Sequence, residues 1–243
     1  EDVTEKRQMI QDLIIAKEKA EASDKLKSAF INNISHEVRT PLSGIVGFSE
    51  MITNGEIPPE TRLSYNDIIR KSSMRLLNTI TGYLDISLLV SGNMEVHPTS
   101  FPVYSLLLEL QAEFEDACKE KNIELVVVRP EVNVDIQLYT DRELLQKIWF
   151  HLLDNAVKYT SEGEISFGCR KSGESLEFFV TDTGVGIDSD KTRMIFDYFM
   201  QADASDTRKF EGSGLGLSIA NELVKLLGGH ISMQSTKNAG STF

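Results

Sequence analysis

The hydrophobic period of this chain changes once, near residue 92, and that change limits the folds open to it. Before it, apolar residues recur only at helical steps. From Glu1 to about residue 54, Val3, Ile10, Leu13, Ala20, Ile31 and Ile34 fall at mixed three- and four-residue intervals, with Lys17 and Asp24 in the gaps. Such a stripe suits one long helix in a marginal parallel coiled coil. A lone helix with so little apolar surface is not stable, so the pattern calls for a second copy of the chain.

Thr53-Asn54-Gly55-Glu56-Ile57-Pro58-Pro59 reads as a loop from its glycine and prolines. A second helix is expected from about Thr61 to Val90, with Ile68, Ile69, Leu76, Leu77, Ile80, Leu84 and Leu88 on a broad apolar face, ended by Ser91-Gly92-Asn93. Two antiparallel helices from each of two chains bury both stripes as a four-helix bundle.

Beyond residue 93 helical and strand patterns alternate. Strands are expected at Met94 to His97, Ile123 to Val128, Ile136 to Tyr139 and His230 to Ser235, with a hairpin of Ile165 to Arg170 and Leu176 to Thr181 and a last strand near Phe243. Helices are expected at Phe101 to Lys119, at Asp141 to Tyr159 with Asp141 as N-cap, and at Leu215 to Leu227 stopped by Gly228-Gly229. The alternation implies an α+β sandwich with helices on one face of a mixed sheet. The chain thus divides into a connector over 1–24, a helical domain over 25–93 and an α+β domain over 94–243.

Composition excludes several functions. Hydrophobic residues make up 41% and charged residues 26% of the 243, the balance of a globular protein. No apolar run reaches the roughly 18 to 20 residues that span a bilayer. The charged opening Glu1-Asp2-Val3-Thr4-Glu5-Lys6 is no signal peptide and reads as the start of a fragment. Cys118 and Cys169 lie far apart, as idle thiols in a reducing compartment do. The net charge of −12 is uneven: residues 94–243 hold 14 basic and 24 acidic side chains. So acidic a half argues against a nucleic-acid surface, and any polyphosphate must be held by backbone donors and a cation.

Four stretches carry chemistry. His36, five residues before Pro41, and Glu37 stand within Phe30 to Leu42; Pro41 frees the Glu37 carbonyl and favours a bend. Neutral imidazole is a nucleophile near pH 7. Asp182-Thr183-Gly184-Val185-Gly186-Ile187 follows a strand; Gly184 and Gly186 let the backbone approach a ligand, and Asp182 can accept from an exocyclic amine. A plain turn fits the same residues. Gly212-Ser213-Gly214-Leu215-Gly216-Leu217 opens a helix whose free N–H groups and dipole suit an anion. It is neither a dinucleotide fingerprint nor a P-loop. Two glycine elements flanking about 25 residues suit a lid hinged at both ends. On the helix from 141, Asn155 and Lys158 share a face, where an amide oxygen can ligate Mg²⁺ and an ammonium can meet phosphate, and Tyr159 can pack on a base.

Taken in order, His36-Glu37-x-Arg39-Thr40-Pro41-Leu42, Asn155-Ala156-x-Lys158-Tyr159-Thr160, Asp182-x-Gly184-x-Gly186, Phe196-Asp197-x-Phe199 and Gly212-x-Gly214-Leu215-Gly216-Leu217 resemble the H, N, G1, F and G2 boxes of bacterial two-component sensor histidine kinases. The resemblance covers about residues 25 to 243. It implies a homodimeric helical hairpin carrying the phosphoacceptor, followed by an ATP-binding domain of the histidine kinase and gyrase type. On that basis His36 attacks the γ-phosphate of ATP and Glu37 accepts or orients the imidazole proton. Asn155 holds Mg²⁺, Asp182 the adenine amine, and Gly184 and Gly186 the turn beneath the base. Gly212, Gly214, Leu215 and Gly216 form the phosphate side. The phosphate then passes to an aspartate of a response-regulator receiver domain. Thr40 stands where this family can position water for receiver dephosphorylation. The resemblance also implies a cytoplasmic fragment of a protein anchored in the inner membrane.

One departure stands out. Four residues before Asn155 the family usually has asparagine, and this chain has His151, a poor ligand for a hard ion. It leaves open phosphate contact by His151, weakened nucleotide binding, or a kinase-inactive dimeric scaffold that binds a receiver.

Overall fold

The computed structural model describes residues 33–53, 57–129, 136–173, 175–192, 194–198 and 214–243. The coiled-coil expectation for residues 1–24, the first two residues of the second glycine box, Gly212 and Ser213, and the part of the expected lid from Phe199 onward lie outside the described residues. Two compact units divide between Tyr83 and Leu84.

The first unit is a helical hairpin. Helix α1 spans 33–53 and runs on through Pro41, and α2 spans Pro59–Ser91. Pro58 and Pro59 sit where a helix start tolerates proline, and the Pro58 carbonyl accepts from Arg62 N–H at 3.0 Å to open the first turn. The helices are antiparallel. Phe48 meets Tyr65 with ring centroids 5.1 Å apart, Gly44 lies opposite Ser72, and Glu37 pairs with Arg75 at 3.4 Å. The apolar face of α2 is divided. Ile68, Ile69 and Leu76 are partly covered, while Leu63, Met74, Leu77 and Ile80 stand exposed, as do Leu42, Val46 and Met51 of α1.

The second unit takes in the last residues of α2 and an α+β sandwich. Its five-stranded sheet runs in the order β2 (Ile123–Val128), β4 (Gly163–Ser172), β5 (Ser175–Asp182), β7 (Gly240–Thr242), β6 (Gln234–Thr236). The β2–β4 pair is parallel and the other pairs are antiparallel, so the sheet is mixed as expected. A separate ribbon pairs β1 (Thr99–Pro102) with β3 (Gln137–Thr140).

Alternation along β4 buries Ile165, Phe167 and Cys169 on one face. Helices α3 (Val103–Glu120), α4 (Arg142–Tyr159) and α5 (Gly216–Leu226) supply the opposing core through Leu106, Leu110, Trp149, Leu153, Ala220 and Leu223. Trp149 is the keystone of this layer, edge-on to Phe167 at 5.5 Å and to Phe178 at 5.9 Å. Asp141 caps α4 as anticipated, its carboxylate accepting from Leu144 N–H at 3.0 Å.

Two expected strands are misplaced. Met94 to His97 has no regular structure; the chain is pinned there by His97 N–H donating to the second Asp141 oxygen at 2.7 Å, and pairing begins only after Pro98, at Thr99. That strand also claims Phe101 and Pro102 from the helix expected to begin at Phe101. His230 to Ser235 shrinks to Gln234–Thr236, because β7 offers it three residues to pair with, across a tight turn with Asn238 at φ 62°.

Candidate functional site

In the second unit, two clusters form along α4, one at its C-terminal end and one at its middle. At its C-terminal end, β5 delivers Asp182, which is buried and accepts from Gly184 N–H at 2.9 Å. Burial pushes its carboxyl above the ordinary range, while the N–H groups of Gly184 and Ser241 work in the opposite direction. Val185 N–H then donates to the Tyr159 carbonyl at 3.2 Å, and the Val185 carbonyl accepts from Asn238 N–H at 2.7 Å. The turn after β5 is thus stitched to α4 on one side and to the β6–β7 hairpin on the other.

That stitching requires the two glycines. A Cβ on Gly184 would stand 2.5 Å from the Tyr159 carbonyl oxygen and 2.9 Å from both Asp182 Oδ1 and Thr160 Oγ1. Gly186 sits at φ +62°, and a Cβ there would run into the Thr236 carbonyl. Thr160 adds a second observation: its hydroxyl is fully buried and has no hydrogen-bond partner among the described residues. A buried acceptor, an orphaned hydroxyl and a side-chain-free turn beside them fit a flat heterocycle with an exocyclic amine. Sequence reasoning passed over Thr160 as a site residue, and over Ser241, which meets Asp182 only through strand pairing of β5 with β7.

The second cluster faces the start of α5. Gly214 has φ +69°, Leu215 is buried, and no described side chain caps the first turn of the helix. Its leading N–H groups therefore remain available to an anion. Across from them stand His151 and Asn155, one turn apart on α4. A Cβ on Gly216 would lie 3.3 Å from His151 Nδ1 and 3.6 Å from the Asn155 amide nitrogen. Burial pushes the His151 pKa down to about 4, the nearby Asp85 charge opposing that shift and Lys147 adding to it. The imidazole is neutral at pH 7. Asp85 and Lys147 are themselves paired at 2.7 Å.

Asn155 fits a divalent ion held with phosphate. Among the described residues no three His, Cys, Asp or Glu side chains gather as a metal site. An ion such as Mg²⁺ would accordingly take most of its oxygens from phosphate and water, its ordinary habit. Lys158 and Tyr159 are brought together, the Lys158 ammonium 4.8 Å over the Tyr159 ring.

Lys121 was also missed. Its ammonium donates to the carbonyls of Val157 at 2.6 Å and of Lys158 and Thr160 at 3.4 Å, closing the C-terminal end of α4 behind the Asp182 cluster.

In the first unit, His36 is exposed on α1. Thr40, one turn on, donates its hydroxyl to the His36 carbonyl at 3.2 Å. Glu37 reaches Arg75 of α2, and its charge together with burial raises the Tyr83 hydroxyl to about 12. No helix among the described residues is long and apolar enough to cross a membrane.

Residues 26–92 match the His Kinase A (phospho-acceptor) domain, and residues 140–243 match the histidine kinase-, DNA gyrase B-, and HSP90-like ATPase family. The autoinducer 2 sensor kinase/phosphatase LuxQ of Vibrio vulnificus is 38% identical over 235 residues, 94% of this chain and 27% of LuxQ. The signal transduction histidine-protein kinase BarA of Escherichia coli K12 is 36% identical over 237 residues, 96% of this chain and 26% of BarA. This chain therefore spans about a quarter of the length of these relatives. Among solved structures, full-length ShkA in complex with AMPPNP superposes with a TM-score of 0.66 at 27% identity, over 86% of this chain and 43% of ShkA. With a phospho-acceptor helical domain followed by an ATPase domain, the chain belongs to the sensor histidine kinases and forms their catalytic core.

Proposed function

We propose that this chain is an ATP-dependent protein-histidine kinase core that phosphorylates His36 and passes the phosphate to an aspartate of a response-regulator receiver domain. The observation that carries the reading is an exposed imidazole in a phospho-acceptor domain, on the same chain as the paired clusters at Asp182 and Gly216. Asp182 accepts from the adenine amine, Thr160 completes the polar edge, and the first-turn N–H groups of α5 receive the phosphates. Asn155 would hold a divalent ion such as Mg²⁺, which would supply the positive charge that offsets the phosphates. A ring nitrogen of His36 forms the new N–P bond as the bond from the γ-phosphorus to the bridging oxygen breaks and ADP leaves. The imidazole proton goes to Glu37 or to water.

Incubation with γ-labelled ATP and Mg²⁺ is expected to give an acid-labile, base-stable phosphoprotein, with no label in a His36→Gln variant. Label retained in that variant would refute the site. Nucleotide binding without any label, in a folded dimer, would instead favour the kinase-inactive scaffold.

A second activity has its own observation. Thr40 holds an exposed hydroxyl one turn beyond His36, and LuxQ is named a kinase/phosphatase. Thr40 is read as orienting water for dephosphorylation of the receiver. A Thr40→Ala variant should keep autophosphorylation and lose receiver dephosphorylation.

A further inference from the structure

Both nitrogen-bearing side chains at the head of α5 come from one face of α4. His151 and Asn155 converge on one point at the head of α5, the place a Cβ on Gly216 would occupy, 3.3 Å from His151 Nδ1 and 3.6 Å from the Asn155 amide nitrogen. Rotation of the Asn155 amide presents its oxygen to that point in place of the nitrogen. No hydrogen bond joins either ring nitrogen of His151 to another described residue, and the Phe150 ring lies edge-on to the imidazole, 6.0 Å between centroids. Asp85, the carboxylate beside it, is committed to Lys147 at 2.7 Å. The imidazole is therefore a nitrogen ligand facing the head of α5, with no described residue hydrogen-bonded to it.

We propose that His151 ligates the divalent cation that enters with the nucleotide, and that the site consequently selects Mn²⁺ over Mg²⁺. The inference rests on the nucleotide reading of this cradle. An amide oxygen and phosphate oxygens suit either ion. Imidazole separates them, because Mg²⁺ is hard and demands oxygen, whereas Mn²⁺ takes the same octahedral phosphate oxygens and still accepts a nitrogen. His151 and Asn155 at four-residue spacing supply two adjacent protein positions of the coordination sphere, which is the share a nucleotide-bound ion leaves to the protein.

The test uses AMPPNP with the intact chain, in Mn²⁺ or in Mg²⁺, for the wild type and for His151→Asn. Calorimetric titration is expected to give wild-type affinity at least about tenfold tighter in Mn²⁺ than in Mg²⁺, and that ratio should collapse towards unity in the variant. Pulsed electron paramagnetic resonance of the Mn²⁺ complex should show coupling to a nitrogen that changes when histidine is labelled with ¹⁵N and disappears in His151→Asn. Circular dichroism checks that the variant is folded. Tight binding with equal affinity in both ions and no histidine coupling would overturn the metal role while leaving the nucleotide reading intact, and would make His151 a phosphate contact at most. Failure to bind AMPPNP with either ion would overturn both.

Discussion

Asp182 carries a charge that the fold itself disfavours. Burial raises its carboxyl, so at neutral pH the ionised form costs stability that is relieved as pH falls through the raised value. A buried carboxylate of this kind persists where a ligand donates to it. In Asp182→Asn the nucleotide affinity should fall about tenfold or more, the scale of a hydrogen bond to a charged group. Its thermal midpoint should move by no more than about 4 °C, equivalent to roughly 1 kcal/mol. The same cause sets a pH dependence. Wild-type AMPPNP affinity should decline on acidification from a higher pH than an ordinary aspartate would give, and titration calorimetry across the acid range would show it. The residue type and its strand-end position were legible in the chain as a string. The depth of Asp182 and its bond from Ser241 were not, since they come from β7, 59 positions later.

At the scale of elements, α4 is the organiser. Its N-terminal half holds Trp149 against the sheet, its middle presents His151 and Asn155 to α5, and its last carbonyls frame the turn after β5. Lys121 holds that last end closed. A Lys121→Met variant keeps the aliphatic stem but removes three donors from carbonyls at the negative end of a helix. It should lose about 1 to 2 kcal/mol of stability in chemical denaturation. It should also bind nucleotide several-fold more weakly, since Thr160 and the last turn of α4 lose their support. Helical period and the Asp141 cap made α4 readable from the residues. Lys121 carried no signal, because a lysine after a helix is ordinary and its partners lie 36 to 39 positions away.

For the whole molecule, the helical hairpin exposes a row that water does not favour. Met74 and Leu77 are 53% and 58% exposed on α2, one turn apart, with Ile80 following. We read this row as the seam against a second copy, closing a four-helix bundle. Met74→Glu with Leu77→Glu should convert a dimer into a monomer in sedimentation velocity. Each lost apolar burial is worth about 1.5 to 3 kcal/mol, and the seam loses four such side chains. Helix content by circular dichroism should persist. An unchanged dimer would place the interface elsewhere.

The order of elements, a helical half followed by an α+β half, and the glycine turn at Gly184 and Gly186 were legible from local information. Hydrophobic period, capping chemistry and glycine spacing act within a few residues of themselves. Tertiary structure alone decided which residues share a site. The strand at Met94 to His97 failed because a side chain from Asp141 captured the backbone, and the strand at His230 failed because its partner was three residues long. His151 shows the division most plainly. As a letter it was a departure from a pattern with several meanings; packed against Gly216 beside Asn155, it is a donor aimed at one point in space. Period and propensity are local energies, whereas a site is a set of distances between elements that only packing brings together.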